Sequence, residues 1–210
     1  CGYLLSTSLN GIDSQHFWDL MDALPVEKIP QIENNILKRI LKHYDISTDT
    51  LFYDSTNFYT YIHTTNHRRT IAQRGKNKQK RYDLRQIGLA MVVNREDFIP
   101  LFHLPYQGNI NDTKVFTSLL VNIKKRILDL NLDISKHTLV FDRGNNSKQN
   151  LAKVKESDLH YVGALTPYHH QQLIMDAEGQ YQDVNIDAEN TLRVYRDLWW
   201  KYKYCSCKGI

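Results

Sequence analysis

From residue 14 the apolar positions run at helical spacing. Phe17, Trp18, Met21 and Leu24 follow at steps of three or four behind Ser14, which reads as an N-cap. Pro25 and Pro30 interrupt that pattern, and Ile32, Ile36, Leu37, Ile40 and Leu41 form a second amphipathic stripe ending near residue 43. Both helices read as packing elements without chemistry of their own. After Asp49 the period becomes that of strands. Thr50 to Thr56 is rich in β-branched and aromatic residues, with Asp54 in its second half. Leu84 to Val93 is a mostly apolar run interrupted by Gln86 and Gly88, Asn94 to Asp97 is a polar turn, and Phe98 to Tyr106 is a third strand. Three sequence-adjacent strands of this kind predict a meander.

Helical spacing returns after Asn111 or Asp112, either of which suits a cap, with Phe116, Leu119, Leu120, Ile123 and Ile127 on one face. His137 to Phe141 is a short apolar strand that ends abruptly on Asp142. Gly144 breaks it, Ser147 caps a short helix holding Leu151 and Val154, and Leu159 to Leu165 is a further strand. The order βββαβαβ predicts an α/β fold, a mixed sheet covered by helices. From Pro167 the alternation lapses. Asp176-Ala177-Glu178-Gly179 reads as a turn, and the remainder as hairpin strands ending in Leu198-Trp199-Trp200.

Composition changes this picture little: 41% hydrophobic and 24% charged over 210 residues is ordinary for a globular chain with a real core. No apolar run reaches the roughly 18 residues of a membrane span. The chain opens on Cys1-Gly2-Tyr3 and stops at Lys208-Gly209-Ile210, which reads as a fragment at both ends. Three cysteines make no disulfide framework and suggest a reducing compartment; Cys205-Ser-Cys207 is either half a metal site or two incidental thiols, and no second pair faces it. Charge is more informative. Residues 66–85 hold eight of the 27 basic side chains (Arg68, Arg69, Arg74, Lys76, Lys78, Lys80, Arg81 and Arg85) and one of the 23 acids, Asp83. That stretch is +7, whereas the remaining 19 bases and 22 acids net to −3. Such concentration is expected of a loop facing a polyanion, the alternative being a solvated loop.

Asp54 and Asp142 both lie at ends of apolar strands. If those strands are parallel neighbours, both carboxylates reach one edge of the sheet, where open α/β sheets place their ligands. Two close carboxylates repel unless a cation lies between them, and hard oxygen ligands with an open face suit Mg²⁺ or Mn²⁺. The alternative for each is a turn cap. Seven of the nine histidines (His63, His67, His103, His137, His160, His169 and His170) show no metal-ligand pairing and read as structural or surface residues.

In this order, Tyr53-Asp54-Ser55-Thr56 and Phe141-Asp142-Arg143-Gly144 resemble the DDE transposases of bacterial insertion sequences, the IS4-like group and its IS1634-type members above all. Gly75-Lys76 through Asp83-Leu84-Arg85-Gln86-Ile87-Gly88-Leu89 resembles that group's basic loop and second strand, and Pro105-Tyr106-Gln107-Gly108-Asn109 through Asp112-Thr113-Lys114 its third-strand exit and helix start. The resemblance runs from about residue 50 to 165. It implies a ribonuclease H-like core over 49–165, preceded by a helical segment over 1–48 and followed by the start of a β-rich insertion over 166–210.

The same resemblance implies metal-dependent phosphodiester cleavage and strand transfer during DNA transposition, with Asp54 and Asp142 as catalytic metal ligands for Mg²⁺ or Mn²⁺. It implies DNA as partner, held by Arg68, Arg69, Arg74, Lys76, Lys78, Lys80, Arg81 and Arg143, a homodimer on DNA at full length, and a cytoplasmic, nucleoid-associated location. Arg143 serves equally as a surface ion pair, and Tyr59 and Tyr61 either stack on bases or pack. The family's third acid, a Glu in a Tyr-x-x-Arg-x-x-x-Glu-x-x-x-x-x-x-Lys pattern, has no counterpart after Asp142. Glu156, Glu178 and Glu189 lie in the wrong settings, so the expectation is truncation before it. The competing readings are a ribonuclease H-like nuclease of another role and an inactive DNA-binding remnant.

Overall fold

Strands whose burial alternates residue by residue assemble a five-stranded mixed sheet. The computed structural model describes residues 11–63, 65–76, 80–164, 168, 171–185, 191–199 and 202–208. In it β1 (Thr50–Thr60), β2 (Arg85–Asn94) and β3 (Pro100–Gln107) form the expected antiparallel meander. β4 (Thr138–Phe141) lies parallel to β1 on its other side, with β5 (His160–Gly163) beyond it, giving the order β3-β2-β1-β4-β5. This is the helix-covered mixed sheet that the order of elements predicts. β1 runs four residues past the predicted Thr56, because β2 continues to pair with it down to Thr60↔Arg85.

The helices before the sheet depart from expectation in three ways. α1 (Ser14–Ala23) is capped by Asp13 rather than Ser14, its Oδ1 accepting from the Gln15 and His16 amides while the His16 ring closes the box. Nothing in α1 is buried: Phe17, Trp18 and Met21 are more than half exposed, so the predicted packing face is left open among the described residues. In α2 (Ile29–Tyr44), Pro30 occupies the first turn, where a missing N–H leaves no bond unmade, so it opens the helix.

One face of the sheet carries Leu51 and Tyr53, Ala90 and Val92, Leu101 and Tyr106, and Leu139 and Phe141, all buried. Against it lies α3 (Asp112–Asp129), N-capped by Asn111, whose Oδ1 accepts from the Thr113 N–H at 2.9 Å. Its apolar stripe from Val115 to Ile127 completes the core, and the Phe116 ring sits between Tyr53 and Phe141 at centroid distances of 5.3 and 4.9 Å. α2 reaches this core through Leu37 and Leu41 and through Arg126 of α3. That guanidinium, almost wholly buried, pairs with Glu33 and Asn34 and lies 5.9 Å from the Phe102 ring centre. α4 (Lys148–Lys155), capped by Ser147, is tied to α3 through the buried Asn150, which donates to the Thr113 carbonyl at 3.1 Å.

The chain divides into two compact units, Cys1–Val162 and Gly163–Ile210. The second holds α5 (Gln171–Ala177) and an antiparallel sheet in the order β6 (Gln182–Asn185), β7 (Thr191–Trp199), β8 (Tyr202–Lys208). The hairpin strands were expected; the helix was not. Asp176 and Ala177, read as a turn, end α5, and Gly179 at φ +81° takes the left-handed conformation that stops it. A helix of seven residues with only Leu173 and Ala177 buried is too short for its period to show. No helix among the described residues is long and apolar enough to cross a membrane. Leu165, Pro167 and Trp200 lie outside the described residues.

Phe116 is fully enclosed at the centre of the first unit. Phe116→Ala should lower its unfolding free energy by about 3–5 kcal/mol, whereas Trp18→Ala on the open face of α1 should change it by no more than about 0.5 kcal/mol. Urea unfolding followed by far-ultraviolet circular dichroism, which does not depend on the removed tryptophan, checks both.

Candidate functional site

The parallel register of β1 and β4 ends at Tyr53↔Phe141, so the next residues, Asp54 and Asp142, come side by side at one edge of the sheet. They arrive there by different local means. Asp54 stays inside β1, and its Oδ1 accepts from the Ser55 amide at 2.7 Å. Asp142 leaves the ladder; its Oδ1 accepts from the Arg143 amide at 2.6 Å and caps the 3₁₀ turn Arg143–Asn145. Both are exposed and line one cleft of about 540 Å³. Ser55, Thr56, Asn57, Lys76, Asn111, Asp112, Thr113, Gly144 and Asn145 form the rest of its wall. The alternative of turn capping is thus true of Asp142 as well, and does not compete with its place in the cleft.

Two carboxylates, each with one oxygen on its own neighbouring amide, are a hard-oxygen donor set. Such a pair suits a divalent ion that keeps water as its other ligands. Among the described residues no group of three or more His, Cys, Asp or Glu side chains is arranged to hold a metal. Glu156, at the end of α4, pairs with Lys153 at 2.8 Å and does not line the cleft; Glu178 is an exposed residue of the second unit, and Glu189 lies outside the described residues.

A third carboxylate of the cleft is one that sequence pattern marks only as a possible cap. Asp112 is the first residue of α3, and its Oδ1 accepts from the Tyr106 hydroxyl at 2.7 Å. Burial and then the Asp112 carboxylate push the Tyr106 phenol upward. Tyr53 is pushed up to about 12, chiefly by burial and next by the charge of Asp112, with Asp54 adding a smaller push. Ser55 pulls the other way without making a hydrogen bond of good geometry to the enclosed Tyr53 Oη. The signal for this cluster was Gly88: a Cβ there would come within 2.2 Å of the Tyr106 ring, so only glycine lets that ring lie across the strand.

The basic residues separate into two settings. Arg68, Arg69, Arg74, Lys80 and Arg81 are exposed, as is Arg143, while Lys76 lines the cleft. Lys78 lies outside the described residues. Arg81 forms a two-pronged pair with Asp83 at 2.9 and 2.8 Å, which holds the Asp83 carboxyl down to about 2. Arg85 donates to the Asn66 carbonyl at 2.8 Å. Tyr61 is 85% exposed and Tyr59 half-buried. His137 is buried, its Nδ1 on the Asp133 carbonyl and its Nε2 on the Thr48 hydroxyl, whereas His169 and His170 lie outside the described residues. Cys205 and Cys207 lie on β8.

An unfolded tyrosine loses its proton near pH 10, whereas Tyr53 in the folded chain keeps it to about 12. Between those values the native state binds more protons than the unfolded one. Its contribution is therefore fully present below pH 10 and is lost as pH rises toward 12. Urea unfolding across that range should show a shallower alkaline loss of stability in Tyr53→Phe than in the parent chain; equal slopes would contradict the assignment.

No protein-family model matches the chain, and no curated protein matches it. Among solved structures it is similar to the piggyBac transposase in a synaptic complex with hairpin DNA, at 14% identity over 82% of this chain and 38% of that one, with a TM-score of 0.42. It is similar to the Mos1 transposase in a paired-end complex with the left transposon end, at 8% identity over 74% and 49% of the two chains and a TM-score of 0.40. For the catalytic domain of Mos1 mariner transposase the values are 9%, 79%, 77% and 0.36. The chain spans about half the length of the Mos1 chain in the paired-end complex.

Proposed function

We propose that this chain is part of the catalytic core of a DDE transposase of the IS4-like group, IS1634 type, acting on DNA phosphodiesters. The observation that carries the reading is the convergence of Asp54 and Asp142, from the two motifs that resemble that group, on one cleft at the β1–β4 edge. Asp54 and Asp142 would hold Mg²⁺ or Mn²⁺. Held there, such an ion would supply Lewis-acid stabilisation of charge on the phosphodiester oxygens. The first substrate is the phosphodiester at a transposon end, cut by water. The freed 3′-OH then attacks target DNA.

The chain's own residues contribute position and charge. Ser55 and Arg143 amides each fix one oxygen of a carboxylate, so the side chains meet a ligand already oriented. Arg68, Arg69, Arg74, Lys78, Lys80 and Arg81 hold the DNA backbone, a contribution that is blind to sequence and sensitive to salt. Arg143, one residue past the carboxylate, supports a phosphate at the cleft mouth. A homodimer on DNA and a place beside the nucleoid complete the reading.

Mn²⁺ titration followed by electron paramagnetic resonance tests the site directly. The chain should take up Mn²⁺ weakly, Asp54→Asn and Asp142→Asn should each abolish uptake, and Glu156→Gln should leave it intact. Uptake that survives both Asp substitutions would refute the reading. Neutralising Arg74, Lys78 and Lys80 together should flatten the slope of log K against log salt for duplex DNA by up to about 0.9 for each phosphate they neutralise; an unchanged slope would mean that they face only solvent.

A further inference from the structure

Lys76 is set apart from the other basic residues by a knot of backbone beneath it. Residues 71–76 lie as an extra edge across the start of β2 and the end of β3. The Gln73 amide donates to the Gln86 carbonyl at 3.0 Å, the Gln86 amide returns the bond at 2.8 Å, and the Gly108 amide donates to the Ile71 carbonyl at 3.2 Å. The Gln86 side chain, 1% exposed, closes the knot from inside, with Nε2 donating to the Gly108 carbonyl at 2.7 Å and reaching the Lys76 carbonyl at 3.3 Å. The contact tolerates no side chain: a Cβ on Gly75 would stand 2.1 Å from the Gly108 oxygen, and one on Gly108 would stand 2.0 Å from the Gln86 oxygen. A buried glutamine bonded to two backbone carbonyls ties the segment to the residue that follows β3. That tie brings Lys76, alone among the chain's described lysines and arginines, into the wall of the Asp54–Asp142 cleft. Among the described residues no carboxylate oxygen lies within 4 Å of its ammonium.

We infer that Lys76 binds a non-bridging oxygen of the phosphate that enters this cleft, and that Gln86 is a positioning residue that keeps it there. The inference rests on the phosphoryl-transfer reading of the site. Two carboxylates by themselves repel a phosphate; a divalent cation reverses that, and a phosphate then admitted to the cleft meets the Lys76 ammonium in its wall. Lys76 therefore acts only when the cleft is open to phosphate, whereas residues that hold flanking backbone act regardless of the ion.

Binding of a labelled DNA duplex to the 210-residue chain, with Mg²⁺ and with EDTA, separates the two roles. The parent chain should bind more tightly with Mg²⁺, and Asp142→Asn should remove that gain. Lys76→Met should weaken Mg²⁺-dependent binding by roughly tenfold and binding in EDTA far less, whereas Lys80→Met should lose the same factor in both. Lys76→Arg should restore most of the gain. Gln86→Leu, in a chain whose near-ultraviolet circular dichroism is preserved, should lose the same Mg²⁺-dependent part, and adding it to Lys76→Met should cost nothing further. Should Gln86→Leu not fold, the exposed Lys76→Met and Lys76→Arg pair still decides the role of Lys76. A Mg²⁺ gain that Asp142→Asn removes but Lys76→Met leaves intact would overturn this inference and spare the reading of the site. No Mg²⁺ gain in any chain would overturn both.

Discussion

The parallel pairing of β1 with β4 is the constraint on which the first unit depends. Its register places Tyr53 opposite Phe141, and both rings turn inward onto Phe116. Side chains alternate across a strand, so burying Tyr53 and Phe141 obliges the next residue of each strand to face away from that core. A slip of β1 by one residue would turn Tyr53 outward and Asp54 toward the core. Hydrophobic burial at positions 53 and 141 thereby sets the place of charge at 54 and 142. The apolar packing offsets the electrostatic repulsion of two like charges held at one edge.

Around this edge the remaining walls are brought in by close approaches that require glycine. Gly88 admits the Tyr106 ring, which carries a hydroxyl to Asp112 at the start of α3. Gly75 admits the Gly108 carbonyl and Gly108 admits the Gln86 carbonyl, and together they hold the segment bearing Lys76. Each approach orders a polar group on the cleft wall by leaving out a side chain elsewhere, at a conformational-entropy cost that glycine carries in the unfolded chain. The enclosed phenol of Tyr53 answers to the same crowding: it fills the core beneath Asp54 and leaves its hydroxyl without a well-formed hydrogen bond.

Away from the cleft, attachment of the N-terminal helices rests on few side chains. Arg126 satisfies Glu33 and Asn34 from a buried position on α3, and Leu37 and Leu41 supply the apolar part. α1, by contrast, has a well-made cap and an open apolar face. Capping and periodicity settle that it is a helix; they say nothing of what its face meets.

That distinction runs through the whole chain. Local pattern was enough for the three-strand meander, for α3 and its buried stripe, for the Ser147 cap and for the short strand ending on Asp142, because each is decided by spacing and residue type within a dozen positions. It was enough to single out Asp54, Asp142 and a concentrated basic stretch. It failed for α5, whose two buried residues are too few to show a period, and for Pro30, whose effect depends on its position within a turn. What only the tertiary structure decided were relations between distant segments: the register that makes Asp54 and Asp142 neighbours, the Tyr106 ring laid over Gly88 to reach Asp112, and the Gln86 knot that draws Lys76 from a loop of similar charges into the cleft. Side-chain chemistry is written residue by residue, but proximity follows from how strands pair and how closely backbones approach, and no stretch of sequence read alone contains its partner.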